Sequence, residues 1–537
     1  MSDAAATTGQ RVACAEPMTH REVLEALSGL LVAMFVAMLS STVVTTALPR
    51  VVADLGGSQS GYTWVMVATL LTITATTPVW GKLADQFNKK VLVQVALLVY
   101  VAGSVVAGLA PTMEVLIGAR AIQGVGVGGL TALVHVVIAS IVVPRERSRY
   151  FGYLGAVFAV ATVSGPLVGG LIVDTPWLGW RWTFYVGVPF AAVAFVVLQK
   201  TLHLPTVRRT VRVDYLGALL LASGVTTILA WVSLAGNSFA WASVTTVSLV
   251  GAGVLLLVLF VVVETRAAEP IIPLRLFRDR TTSLAVIASA MVGVSLFGST
   301  IFLAQYFQIG RGMSPTSAGL MSLALVGGLL VSSISTGRII AASGRWKRYL
   351  VAGGVLLVVG VGLLARVDAS ASLLSVGIGM AVLGLGIGAI NQNLVLAVQN
   401  KAAHSDVGAA SSSVAFFRVV GGSVGVAGLG AALSHDLAGG VSRGLARLGV
   451  PAGGAPDAGA VPDLATLPAP VREVFQAAFA DATGHLFWIA APCAVVALLC
   501  LVAIREVPLR ATIERADELE RRTQVDRRRA TPQPSAA

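Results

Sequence analysis

The sequence predicts an all-α membrane protein with fourteen transmembrane helices, and three observations lead to that fold class. Of the 537 residues 56% are hydrophobic and 12% are charged, about half the charged share of soluble domains. The apolar residues fall in blocks of about 20, the length at which a helix crosses a ~30 Å hydrocarbon layer. The 38 lysines and arginines lie mostly on one side of those blocks. A soluble domain is therefore excluded.

The order of the blocks predicts two six-helix halves with a central pair of linker helices between them. The fourteen spans are predicted at 26–48, 62–80, 91–110, 113–137, 151–173, 182–199, 215–235, 243–263, 282–309, 316–340, 349–366, 371–397, 407–433 and 483–503. The corresponding units are a cytoplasmic segment over 1–25, a first half over 26–199, cytoplasmic loops with the linker helices over 200–281, a second half over 282–503 and a basic cytoplasmic tail over 504–537.

The distribution of basic residues predicts the orientation. With a cytoplasmic N-terminus, 29 lysines and arginines fall in inner segments, seven in outer loops, and two, Arg120 and Arg418, within spans. By the positive-inside rule both termini are cytoplasmic. The net charge of +12 thus reflects topology and contact with anionic lipid, and no nucleic-acid partner is expected. Six lysines against 32 arginines fit a GC-rich genome, so we expect the plasma (inner) membrane of a bacterium.

The segment over 434–480 is predicted to be one long outer loop, because it is rich in alanine, glycine and proline. We expect a flexible connector there, with a short surface helix over 471–480 as the alternative. The first 20 residues do not have the pattern of a cleaved signal peptide, so the first span is expected to act as its own insertion signal.

Enzymatic and metal-dependent functions find no support in the sequence. The three cysteines, Cys14, Cys493 and Cys500, do not have metal-ligand spacing, and the six histidines are scattered. No glycine-rich phosphate-binding loop with Lys and Ser or Thr is present, so direct use of ATP is not indicated. We expect a monomer without a cofactor or metal, whose partners are a small-molecule substrate, protons and the lipid bilayer.

Two basic turns echo each other in the two halves. The span at 62–80 leads into Gly81–Lys90 and the span at 316–340 leads into Gly337–Arg348; each segment has a glycine, a short apolar stretch and then a cluster of cations. Repeated halves around a site near the middle of the membrane are typical of secondary transporters.

The turn at 81–90 carries a resemblance to a family. It is similar to the motif G-x-L-A-D-R-x-G-R-K of the major facilitator superfamily, and the chain resembles the fourteen-span drug:proton antiporters of the EmrB/QacA type over most of 20–505. Gln86 and Asn88 replace the motif's Arg and Gly, and Asn88 is expected to keep the left-handed turn. The resemblance implies the major facilitator fold and a gate formed by Gly81, Asp85, Lys89 and Lys90. In it Asp85 would hold the halves together by facing a helix N-terminus near Asp406; the alternative is that it only caps a turn.

A second similarity lies in the fourth span, where Arg120–Gly124 resembles the family motif R-x-x-Q-G. A guanidinium inside the bilayer is functional by default, because burying it unpaired costs about 2.5 to 3.5 kcal/mol. The resemblance implies a role of Arg120 and Gln123 in proton coupling; the alternative is that Arg120 binds backbone carbonyls.

A third similarity lies in the fifth span, where residues 161–170 resemble the antiporter motif G-x-x-x-G-P-x-x-G-G with Ala161 at its first position. Its members here are Gly165, Pro166, Gly169 and Gly170. A proline that bends the helix and glycines that allow close packing suit export by alternating access. The segment 417–425 resembles F-R-x-x-G-G-S-x-G of the thirteenth span and places Arg418 in the bilayer.

One departure concerns the proton carrier. In the first span Ser40 stands where the family has an aspartate, and Thr45 where it has an asparagine. A serine does not titrate, so three accounts of coupling remain open. A peripheral carboxylate such as Asp85 or Asp406 carries the proton, or His135 does, or the membrane potential drives a charged substrate.

The sequence therefore predicts an exporter of amphipathic small molecules, of the drug or antibiotic efflux type, that exchanges them for protons. Without a buried carboxylate the cavity favours neutral or anionic compounds over dications. The alternatives are an exporter of a lipid or endogenous metabolite, and a symporter or importer of the same fold. The proton-coupling candidates are Arg120, Gln123, His135 and Asp406, and the cavity candidates are Ser40, Ser41, Thr45, Gln305, Asn391 and Arg418.

Overall fold

The computed structural model describes residues 20–56, 59–175, 177–202, 214–235, 239–267, 270–313, 315–403, 406–448 and 468–509. Most of the predicted terminal segments, 1–25 and 504–537, lies outside the described residues.

Helices account for nearly all of the described chain. The first set is α1 (His20–Asp54), α2 (Gln59–Gln86), α3 (Lys89–Gly108), α4 (Met113–Ile141), α5 (Pro144–Asp174), α6 (Trp182–Tyr185) and α7 (Gly187–Thr201). The central pair is α8 (Tyr215–Leu234) and α9 (Val244–Arg266). The second set is α10 (Arg280–Gln305), α11 (Pro315–Ser343), α12 (Lys347–Leu364), α13 (Leu373–Lys401), α14 (Val407–Arg447) and α15 (Ala469–Ala503).

The predicted fold class is confirmed. In the described part of the chain 13 helical segments are long and apolar enough to cross a membrane, with α6 and α7 forming one of them. The predicted fifth span is the 31-residue helix α5, which packs against α1 and α11 inside the bundle. The exposed surface of α9 consists of residues such as Val247, Leu255 and Val258, as expected for a helix that faces lipid.

Polar side chains fix where several helices begin. Thr112, Asp214, Ser243, Asp279 and Ser372 each accept a hydrogen bond from a backbone N–H in the first turn of the helix that follows. Each satisfies a donor that has no partner within its own helix, which matters most where water is scarce.

The two sets of helices repeat one packing pattern. In the first set α1 packs on α5 and α7, and α4 packs on α2 and α3; in the second, α10 packs on α14 and α15, and α13 packs on α11 and α12. The sets meet reciprocally, since α2 contacts α14 and α11 contacts α5. The central pair lies beside α2. The second helix of each set thus packs against the fifth helix of the other.

The prediction of a loop over 434–480 is wrong at both ends. Helix α14 continues to Arg447 and α15 already begins at Ala469, so the proposed surface helix over 471–480 is part of a transmembrane helix. At 41 residues, α14 is about 60 Å long, twice the hydrocarbon thickness. Leu437, Val441 and Leu445 recur every fourth residue and pack with Phe475 and Phe479. This apolar stripe outweighs the glycine and alanine content that suggested a connector.

Close backbone contacts inside the first set yield a stability prediction. A Cβ on Gly126 of α4 would lie 2.5 Å from the Tyr100 nitrogen and 2.7 Å from the Ala96 oxygen in α3. We expect Gly126→Ala to lower the free energy of unfolding by about 1–3 kcal/mol, because backbone cannot yield as a side chain does. Thermal unfolding in detergent measures the change. Gly118→Ala on the same helix, with nothing within 4 Å, is the matched control and should not lower the melting temperature.

Candidate functional site

The two sets are joined at one end of the bundle, which we call the basic face. There α2 ends at Gln86, α3 begins at Lys89, α11 ends at Ser343 and α12 begins at Lys347. Lys90 Nζ donates to the Gln199 carbonyl at 2.8 Å within the first set, and Lys89 is close enough to Asp85 to act on it electrostatically.

Asp85 lies at the N-terminus of α14, across the boundary between the sets. Its Oδ1 accepts from the Gly408 N–H at 2.9 Å and its Oδ2 from the Ala409 N–H at 3.0 Å. A carboxylate is stabilised there by the unpaired N–H groups and the positive end of the helix dipole. The helices meet without intervening side chains, since a Cβ on Gly408 would lie 2.2 Å from the Gly81 oxygen.

The echo of this motif in the second set makes the reciprocal contact with opposite chemistry. Ser148 Oγ of α5 donates to the Gly337 carbonyl at 2.9 Å. The position that corresponds to Asp85 is Ala341, and Arg145 donates to the carbonyls of Ala341 and Ala342 at 3.3 and 3.0 Å. These are carbonyls of the last turn of α11, where a cation is favoured. One contact thus places an anion at a helix N-terminus and the other a cation at a helix C-terminus.

Further polar contacts close the same end of the bundle. Gln399 of α13 accepts from Arg147 Nη1 at 3.3 Å and donates to the His135 carbonyl at 3.3 Å. The ring of His135 is buried, with Nε2 2.9 Å from Gln392 Oε1 and Nδ1 2.9 Å from the Thr131 carbonyl. His135 therefore bridges the two sets.

Asp406 is buried beside these contacts and forms an ion pair with Arg275, whose Nη2 lies 2.9 and 3.0 Å from the two carboxylate oxygens. Arg275 belongs to the short 3-10 helix Leu274–Arg278 that connects the central pair to α10. The neighbouring pair of Lys401 with Asp279 holds the end of α13 at the same place. The start of α14 is thus tied to the connection from the linker helices.

The expectation of a left-handed Asn88 is wrong. Asn88 is extended, with φ −64° and ψ 114°, and its side chain accepts from the Lys90 N–H at 2.9 Å as the N-cap of α3. Asparagine is preferred at this position because its side chain replaces the missing helical partner. In the echo, Gly344 has a φ of +69°, so the two turns differ in backbone conformation.

A second polar cluster, which we call the arginine network, is buried in the first set. Arg120 is 2% exposed and its Nη1 donates to Gln123 Oε1. Gln123 Nε2 in turn donates to Ser40 Oγ at 3.0 Å and to Ser104 Oγ at 2.8 Å. The Arg120 Nε has no hydrogen-bond partner among the described atoms. The network connects α1, α3 and α4: the Gln123 amide binds the guanidinium, and the two serine hydroxyls bind that amide.

Arg418 repeats this arrangement in the second set. It is half-buried on α14, and its Nη1 donates to Asn391 Oδ1 of α13. Both intramembrane guanidiniums are therefore held by side-chain amides. Among the described hydrogen bonds, neither guanidinium donates to a carboxylate, so their positive charges are not neutralised by these contacts.

The antiporter motif lies where α5 crosses α1. A Cβ on Gly165 would be 2.0 Å from Thr42 Oγ1, which donates to the Ala161 carbonyl at 3.3 Å. Gly169 is buried, whereas a Cβ on Gly170 would meet nothing within 4 Å. Of these glycines, Gly165 makes the expected close contact with another helix, and Gly170 does not.

The remaining cavity candidates are dispersed. Ser41 is half-buried on α1, and Gln305 is half-buried at the end of α10, where the chain continues as the π-helical turn Tyr306–Gly310. The side chains of Thr45 and Pro166 lie outside the described ones.

Sequence reasoning missed three contributors to these contacts. Gln399 and Ser148 lie between the sets, and Ser104 completes the arginine network. A polar residue within an apolar span was the available signal for Ser104. Gln399 lies two residues beyond the predicted span 371–397, and only the longer helix α13 includes it. Ser148 follows Arg147 in a basic segment, and nothing in the pattern distinguishes it.

Comparison with known proteins places this architecture in a family. Residues 30–426 match the Major Facilitator Superfamily. The chain belongs to this superfamily. It is therefore a multi-pass membrane transporter of small molecules, not an enzyme, and the resemblance seen in the sequence motifs is confirmed.

Two relatives in the superfamily cover most of the chain. An uncharacterized MFS-type transporter of Mycobacterium tuberculosis is 36% identical over 494 residues, which are 92% of this chain and 71% of the relative. The multidrug transporter protein MdtP of Bacillus subtilis is 32% identical over 408 residues, 76% of this chain and 75% of the relative. The crystal structure of the human organic anion transporter MFSD10 (TETRAN) shares the fold, with a TM-score of 0.57 at 13% identity, covering 89% of this chain and all of that one.

Proposed function

We propose that this transporter exports amphipathic small molecules by alternating access, in exchange for protons, from the cytoplasm of a bacterium. The observation that carries the proposal is the closure of the basic face by the Asp85 and Arg145 contacts between the sets. The positive-inside rule assigns that face to the cytoplasm, so in the proposed cycle these contacts seal the cytoplasmic side. The multidrug relative supports a drug-like substrate.

The charge of the site supports a neutral or anionic substrate. Arg120 and Arg418 are held by amides, and an unneutralised guanidinium in a low-dielectric region attracts an anion strongly. A lipid or an endogenous metabolite with an acidic group has the same chemistry and remains the second candidate. Import by the same fold is the third, and the direction of transport distinguishes it.

His135 is the coupling candidate that the contacts favour over Asp406, which is already paired with Arg275. A carbonyl accepts only, so the Nδ1 that faces Thr131 carries the hydrogen and Nε2 is the nitrogen that gains or loses a proton. With Nε2 protonated, the ring donates to the Gln392 oxygen; with it unprotonated, the Gln392 amide must turn its NH₂ group toward the ring. The bridge between the sets thus depends on protonation.

Transport into inverted membrane vesicles tests the proposal. An anionic fluorescent amphiphile is expected to accumulate when the lumen is acid, with release of luminal protons, and a dicationic dye is not. Vesicles from cells without the transporter are the control. Accumulation that survives collapse of the pH gradient and stops on collapse of the potential would contradict proton exchange. Proton-driven movement of a preloaded probe out of the vesicle lumen would indicate an importer.

A further inference from the structure

Two carboxyl groups meet at the root of the central helix pair, outside both clusters described above. Asp214 precedes α8, and Glu264 lies in the last turn of α9. Glu264 is 3% exposed. No role in the gate or in the arginine network has been assigned to either residue.

Each carboxyl group has one oxygen bonded and one oxygen without a partner. Asp214 Oδ1 accepts from the Gly217 N–H at 2.8 Å, and Glu264 Oε1 accepts from the Ile272 N–H. The other oxygens, Asp214 Oδ2 and Glu264 Oε2, are buried and have no hydrogen-bond partner among the described atoms. Buried acceptors without a donor are rare in folded proteins.

The two unpartnered oxygens border the same small space beside Gly217. A Cβ on that glycine would lie 2.3 Å from Asp214 Oδ2 and 3.0 Å from Glu264 Oε2. The charged groups that act on Glu264 are Asp214 and the buried Lys82 of α2. Two ionised carboxylates in one buried space repel each other, and a single proton between them supplies the missing donor.

We propose that Asp214 and Glu264 share one proton and form a proton-binding site where the linker helices join. A metal cation would need more oxygen ligands than the two unpartnered ones here. The shared proton joins the start of α8 to the end of α9. Loss of this proton leaves two like charges, which loosens the contact between α8 and α9. Lys82, which lies beside this pair, is three residues before Asp85 in the sequence. The site stands independently of the proposed export function.

Infrared difference spectroscopy on the purified full chain tests this site. Titration between about pH 5 and pH 9, a range in which buried carboxyl groups titrate, is expected to show one protonated carboxyl band that is absent from both Glu264→Gln and Asp214→Asn. Both amides keep the bonds to the backbone and donate to the remaining carboxylate. Asp279→Asn, at an acid bonded to Lys401 and Thr282, is the control that keeps the band.

Three results would overturn the proposal. A band retained in Asp214→Asn means that Glu264 binds a proton alone, and a band retained in Glu264→Gln means that the proton lies elsewhere. In the unsubstituted protein, two protons bound by this pair at the same pH within the titrated range of about pH 5 to pH 9 would exclude sharing, whatever the stability of the variants. None of these outcomes depends on transport, so failure here is distinguishable from failure of the export assay.

Discussion

We expect Asp85→Asn to reduce export at least about tenfold and to open the basic face. The substitution replaces the charged carboxylate that accepts two hydrogen bonds at the start of α14 with a neutral amide. Hydrogen bonds to a charged group are worth about 1.5–3 kcal/mol each. A loss of 1.4 kcal/mol changes an equilibrium about tenfold. The ratio of outward-facing to inward-facing molecules should therefore fall by that factor or more.

Distances between spin labels measure the shift. In a background without the three cysteines, labels at the exposed Phe87 and Arg345 report the separation of the two sets at the basic face. Glu25→Gln, at an exposed acid paired with Arg21 on the surface of α1, is the control and should leave the distance distribution unchanged. An unchanged distribution with normal export in Asp85→Asn would mean that the contacts of Asp85 with α14 do not hold the two sets together.

The second large effect is expected at Arg120. Arg120→Gln removes the buried charge while leaving an amide that is able to donate to Gln123. Loss of a charge-assisted contact of about 1.5–3 kcal/mol predicts a fall of about 10- to 100-fold in transport of an anionic amphiphile, with a neutral analogue much less affected. Initial rates for the two compounds in inverted vesicles give the ratio.

Ser40→Asp is the complementary variant at the same network. Ser40 Oγ already accepts from Gln123, which holds Arg120, so a carboxylate there would offset the guanidinium charge. We expect weaker transport of the anion and a gain for a cationic amphiphile. Equal losses for both compounds in either variant would indicate a structural role of the network and would count against substrate selection by charge.

The sequence predicted the residue types at the contact between the two sets better than the geometry of that contact. Gly81 and Asp85 were identified from a motif, and the structure places Asp85 at the N-terminus of α14. The partner in the other set, Arg145 on the carbonyls of Ala341 and Ala342, followed from no pattern, because backbone carbonyls carry no sequence signal. Asn88 was misread for a related reason: asparagine suits both a left-handed turn and an N-cap, and only the following helix decides between them.

The arginine network, too, was predictable from the sequence only in part. Arg120 within an apolar span indicated a functional residue, since charge in the bilayer is costly. Its neighbours Ser40 and Ser104 belong to two other helices, and their hydroxyls have the same local pattern as those that only bind their own helix, such as Thr72 with the Ala68 carbonyl. Which hydroxyls meet the amide of Gln123 depends on how α1, α3 and α4 pack.

By itself the sequence determined that this protein spans a membrane many times in two similar halves and belongs to a transporter superfamily. Span length, charge placement and motif spacing are properties of short stretches of chain, so they are readable without coordinates. The tertiary structure decided that the basic face is closed, that α14 and α15 extend beyond the expected loop boundaries, and that Asp214 and Glu264 share one buried space. Those features depend on contacts between helices distant in sequence, where packing and the need to satisfy buried polar groups select the partners.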